Sequence, residues 1–262
     1  MVQAARREGI LNQVPSAELW TAERITQAES SDPPWNWVEP AFQAFASTLL
    51  DESAKFPCTF GVGAQANGHN SFTALDARLP HTHGVERLAE TLRAFRDRAW
   101  TGPRRQSLVV FVGPPAEVPD LDHDREMFWR LLADLRSHDR SPWPEGSPRD
   151  PADPKWDWCF AGEPWFTFMC SPAYTVRRSR AIGHCPTLIF QTRRIFEGLA
   201  GNTMPGRQAK KTVRNRLASY EELPPHPHLG SAERQVDHKW RQYFLPDDLT
   251  EFPVDACPYK GI

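Results

Sequence analysis

The chain has 262 residues, 40% of them hydrophobic, with 31 Lys+Arg against 33 Asp+Glu. That is enough to bury one sizeable core, and too near charge balance for a dedicated nucleic-acid or anionic-membrane surface. No apolar run reaches the roughly 18 residues of a membrane span, and no apolar stretch follows Arg6 and Arg7, so neither a transmembrane nor a secreted protein is expected.

Residues 1–16 read as a flexible, polar N-terminus ahead of one domain over 17–262. Trp37–Leu50 places Val38, Phe42, Phe45 and Leu49 at helical spacing, with Pro40 in the first turn. Phe56–Val62 reads as a strand, Asn67-Gly68 as a turn, and Ser71–Leu75 as the return strand of a hairpin. Val85–Phe95 is an amphipathic helix, and the continuous apolar run Ser107–Val112 is typical of a central strand. Asp124–Leu135 is another helix with Phe128, Leu131, Leu132 and Leu135 inward. The proline-rich stretch 141–154 could link domains or act as a lid, but Trp143 within it favours a long loop packed on one domain. Trp158–Phe160 and Trp165–Cys170 read as strands joined by Gly162-Glu163-Pro164, and Pro186–Gln191 as a further strand. Helices follow over Arg194–Ala200, Arg207–Tyr220 and Glu233–Gln242, then an irregular tail. Strands and helices mix without strict βαβ alternation. The expected class is therefore α+β: a single domain with a mixed or antiparallel sheet flanked by helices. The 10 tryptophans imply an aromatic-rich core or a pocket for a flat ligand.

The five cysteines lack framework spacing and suit reduced thiols of the cytoplasm. Gly61-Val-Gly63-Ala-Gln-Ala66 resembles a dinucleotide fingerprint, yet the turn residues Asn67-Gly68 follow where a helix should open. A glycine-rich hairpin is the expectation. The pairs His81/His83 and His226/His228 could hold a metal from one strand face, but prolines beside them favour solvated loops. Phe56-Pro57-Cys58-Thr59-Phe60-Gly61 sets one cysteine between aromatics. Cys58 reads either as a small buried hydrophobe or as a thiolate ligand to haem iron. His184 is the second candidate ligand. The stretch Trp156–Phe166 reads as a plain hairpin, or as a pocket wall in which Glu163 and Trp165 meet a guanidinium. Arg177, Arg178 and Arg193 are either solvated or recognise paired carboxylates such as haem propionates.

Taken in order, FPCTFG (56–61), WDWCFAGEPWF (156–166), RRSR (177–180), FQTRRIFE (190–197) and QYFLPDD (242–248) resemble the YqcI/YcgG family over Trp37 to Pro258. That family includes haem-dependent N-hydroxylases of guanidino groups. The resemblance implies haem b, O2 as co-substrate and a small guanidine substrate such as arginine. It also implies an external redox partner, a ferredoxin or flavoprotein, because no reductase module is recognisable in the chain. Cys58 would be the axial ligand, with His184 as the alternative, and Glu163 would hold the guanidine. A non-catalytic haem or small-ligand binder, either sensor or carrier, is the other function class. In a third, the protein binds no haem and every tryptophan is core.

Overall fold

The run Leu108–Gly113 (β2) is buried at every position, because strands cover both its edges and helices both its faces. The computed structural model describes residues 17–28, 34–76, 81–114, 116–199, 203–230 and 238–260. Around β2 lie β1 (Ser71–Asp76), β3 (Cys159–Phe160), β4 (Glu163–Cys170) and β5 (Thr187–Thr192), in the order β1-β2-β5-β4-β3. The first pair is parallel and the other pairings are antiparallel, so the sheet is mixed and the α+β expectation stands. Six α-helices are described: α1 (Ala22–Thr26), α2 (Trp35–Leu50), α3 (Thr59–Ala66), α4 (His81–Thr101), α5 (Leu121–Ser137) and α6 (Met204–Tyr220).

Strand alternation divides the core in two. Leu108, Val110, Val112, Trp165, Met169, Leu188 and Phe190 meet the apolar stripes of α4 and α5, together with Trp156, Trp158, Trp240 and Tyr243. Phe72, Ala74, Val109, Phe111, Cys170 and Ile189 meet α2 through Val38, Phe42, Phe45 and Leu49. Full burial of one such side chain stabilises by about 1.5–3 kcal/mol. Helix α2 crosses the sheet closely: a Cβ on Gly113 would lie 2.6 Å from the Trp37 ring. Gly113→Ala should therefore cost about 1–3 kcal/mol through overpacking. A thermal melt with an unchanged midpoint would refute that contact.

Several expectations need correction. Residues 59–66 are helical, not part of a hairpin; two glycines, each costing about 1 kcal/mol of helix propensity, hid a helix that the Cys58 side chain caps. Among the described residues no strand precedes that helix, so the dinucleotide resemblance carries no fold. Helix α2 begins two residues earlier than expected, which places Pro40 inside it. The β3–β4 turn is Ala161-Gly162, both at positive φ (53° and 81°), a two-residue hairpin one position earlier than expected. Arg193–Phe196 is a single 3-10 turn. Of the expected helix over 233–242, only the 3-10 turn Lys239–Gln242 lies within the described residues. The N-terminal stretch 1–16 lies outside them. The loop 141–154 is packed down: Trp143 donates its indole N–H to Ser147 O at 2.9 Å and lies beneath the guanidinium groups of Arg136 and Arg149. No helix among the described residues is long and apolar enough to cross a membrane.

Candidate functional site

On the α2 face of the sheet, a cavity of about 540 Å³ opens beyond the end of the Phe42/Phe45 core, within the usual size of small-molecule sites. Its floor is two rows of side chains that cross the strands. Val109, Ile189 and Phe168 form an apolar row, set by the pairings Val109↔Ile189 and Ile189↔Phe168. Ser107, Gln191 and Phe166 form the next row. Leu49, Phe56 and Phe60 wall one side; Val213 and Leu217 of α6 wall another.

Cys58 lines this cavity at the N-terminus of α3. Its Sγ accepts the Gly61 N–H at 3.4 Å. Burial pushes the thiol pKa up, while N–H groups of Gly61 and Phe60 and the Arg180 charge pull it back. Burial thus keeps the sulfur protonated, and a metal cation bound there would have to displace that proton, since metal ligation requires the thiolate.

The cavity's charges are of one sign. Arg180, Arg193, Lys210, Arg214 and Lys239 line it, and no Asp or Glu does among the described residues. Arg180 is 8% exposed, lies over the Phe168 ring at 4.4 Å and donates to Gln242 O at 3.0 Å. Arg193 lies over Phe196 at 4.8 Å. Behind it, buried Asp157 stands 3.8 Å from Arg193 Nη1 and 3.3 Å from Lys239 Nζ. Burial raises the Asp157 pKa against the pull of both cations, and burial lowers that of Lys239 against the Asp157 charge. The carboxylate thus aims two cations without entering the cavity. Sequence reasoning missed Arg180 and Lys239 as site residues. Arg180 closes the RRSR cluster; for Lys239 no local signal existed, because its partner is 82 residues away.

Of the expected site residues, the structure brings Cys58 and Arg193 into this cavity and separates the rest. Glu163 and Trp165 share the opposite strand parity to Phe166 and Phe168. Trp165 is fully buried in the α4–α5 core, donating to Phe160 O at 2.8 Å. Glu163 sits with it at the hairpin edge, its pKa raised by burial and lowered by the Trp100 indole and the Arg96 charge. Neither walls the cavity. His184 is exposed beside α2 and is not a lining residue. Arg177 is fully buried in an ion pair with Glu221 at 3.1 Å. Arg178 stacks on Tyr220 from outside. Neither histidine pair forms the expected solvated loop, although His81 and His83 are exposed. His81 and His83 open α4, while His226 and His228 are buried with ring centres 4.6 Å apart, bonded to Thr250 O and Phe252 N. No group of three metal-ligating side chains occurs among the described residues.

The YqcI/YcgG family profile matches residues 45–260. Bacillus subtilis (strain 168) YcgG is 34% identical over 246 residues, 92% of this chain and 94% of that protein. YqcI of the same organism is 32% identical over 246 residues, with the same coverage. A Streptomyces lavendulae protein named "Putative N(omega)-hydroxy-L-arginine synthase DcsA" is 31% identical over 243 residues, 91% of this chain and 89% of that protein. No solved structure matches the chain.

Proposed function

Because the chain belongs to the YqcI/YcgG family, we propose that it is a haem-dependent monooxygenase that hydroxylates a guanidine nitrogen of arginine or an arginine-derived metabolite. The observation that carries this reading is the chemistry of the cavity. It offers a broad apolar floor, one thiol at a helix N-terminus and a set of cations with no lining carboxylate among the described residues. Those features suit a flat apolar ligand that carries its own carboxylates and an iron in need of an axial donor. Haem b is such a ligand. The name of the Streptomyces relative supplies the substrate class.

In this reading Cys58 would hold the iron, and Arg180, Arg193 and Lys239 would pair with the two propionates. Asp157 keeps Arg193 and Lys239 turned toward them. When bound, haem supplies activation of O2, and a thiolate ligand favours O–O cleavage. The balance is one guanidine N–H, one O2, two electrons and two protons giving N–OH and water. The electrons come from an external ferredoxin or flavoprotein. The protein's own contribution is placement and exclusion of water: the Val109–Ile189–Phe168 row carries no polar side chain. The described cysteines, all free thiols, suit a reducing compartment such as the cytoplasm.

Titrating the purified protein with haem, then with arginine, tests the reading by absorption. A stoichiometric haem complex whose spectrum shifts with arginine is the expected result. A protein that takes up no haem refutes the oxygenase reading. Haem uptake without any response to arginine or to arginine-derived guanidines would instead mark a sensor or carrier.

A further inference from the structure

A guanidinium presents five N–H donors and no acceptor, yet the lining of this cavity contains five cations and, among the described residues, no carboxylate. Something neutral must accept those donors. The second floor row provides it. Gln191 Nε2 donates to Ser107 Oγ at 2.8 Å, the Ser107 N–H donates to Asn70 Oδ1 at 3.1 Å, and Asn70 Nδ2 donates to Gln65 Oε1 at 3.1 Å. The chain runs from α3 across β1 and β2 to β5. It consumes both ends of the Asn70 side chain and one end of Gln191. No donor among the described residues reaches Gln191 Oε1.

We propose that Gln191 is the residue that accepts the guanidine N–H groups of the substrate, its amide plane held by Ser107 and Asn70. The proposal rests on the guanidine reading given above and adds the residue that selects for it. Other polar side chains of the lining fit less well. Ser179 is spent on Glu221, and no described hydrogen bond braces the side chain of Gln242. A neutral amide also has an advantage over a carboxylate here. Two residues from Arg193, a carboxylate would be drawn into an ion pair with that guanidinium, as Asp157 is, and lost to the substrate. An amide oxygen accepts a hydrogen bond yet is held far less by neighbouring cations.

The test measures arginine binding to haem-loaded protein by difference absorption, with the haem titration repeated for each variant. Gln191→Leu and the near-isosteric Gln191→Met should bind haem as the parent does but require about 10-fold or more arginine, the scale for a lost hydrogen bond to a charged group. Ser107→Ala, which frees the amide without removing it, should cost a few-fold. Agmatine, which lacks the carboxylate of arginine, should show the same fold-loss in Gln191→Leu. Unchanged arginine affinity in both Gln191 variants overturns the assignment while leaving the haem reading intact, and so does a loss confined to arginine and absent for agmatine. A parent protein that binds no haem overturns the haem reading itself, and the assignment falls with it.

Discussion

Cys58→Ser is expected to strip the ferrous–carbon monoxide complex of its strongly red-shifted thiolate band and to lower hydroxyarginine formation by at least about 100-fold. Partners one shell removed from a metal already cost roughly 10–100-fold, so the ligand itself should cost more. The substitution is informative because Cys58 has one observed role, as a helix cap, and one proposed role, as the iron ligand. It caps α3 through Gly61 N–H, and serine is one of the best N-cap residues. The helix should therefore keep or gain stability, while a haem iron held there as proposed would lose its sulfur. A variant with an unchanged melting midpoint and a lost band identifies the ligand. An unchanged red-shifted band would remove Cys58 from that role in favour of another thiol, whereas a histidine-like band in the parent protein would point to an imidazole ligand such as His184.

Arg177→Met should lower stability by about 3–5 kcal/mol, the usual consequence of breaking a buried ion pair from one side. At about 2–4 °C per kcal/mol for a chain of this size, the midpoint should fall by about 10 °C. Arg177 donates to Pro246 O at 2.8 Å, to Glu221 Oε2 at 3.1 Å and to Asp248 O at 2.6 Å. Burial depresses its pKa, and the Glu221 charge offsets that. Asp247 next door accepts the N–H groups of Thr175, Val176 and Arg177 at 2.8–3.1 Å. The C-terminal segment is thereby fastened to the loop after β4. Methionine fills the space but leaves the Glu221 side chain, fully buried, without its cation. Haem uptake by the folded fraction should not change. A variant that melts normally yet fails to bind haem would return Arg177 to the propionate role expected from its sequence.

What could be read in the residues alone followed local periodicity. The apolar run of β2, the stripes of α4 and α5, and the β3–β4 hairpin are regular patterns whose burial needs no knowledge of distant partners. Cys58 was legible as a candidate because aromatics and small residues flank it. Helix α3 was not, since Gly61 and Gly63 suppress the helical signal. Within RRSR, Arg177 turns to Glu221, 44 residues away, while Arg180 turns to the cavity. Four adjacent residues cannot announce which of three arginines has a distant carboxylate waiting. Glu163 lies outside this cavity for a related reason. Its parity with Trp165 is plain in the strand, but which face of the sheet holds the cavity depends on α2 and α6, far away in the chain.

The sheet works as a partition. Its α4–α5 face holds Trp156, Trp158, Trp165 and Trp240, each at most 1% exposed, and the other face holds the cavity. Most of the aromatic mass that keeps the chain folded is therefore on the side away from this cavity. Side chains of the Ser107–Gln191 row can be exchanged without opening a hole in that aromatic layer, and losses in one layer do not compound with losses in the other. A scaffold divided in this way can change the lining of its cavity on one face while the aromatic layer on the opposite face goes on holding the fold.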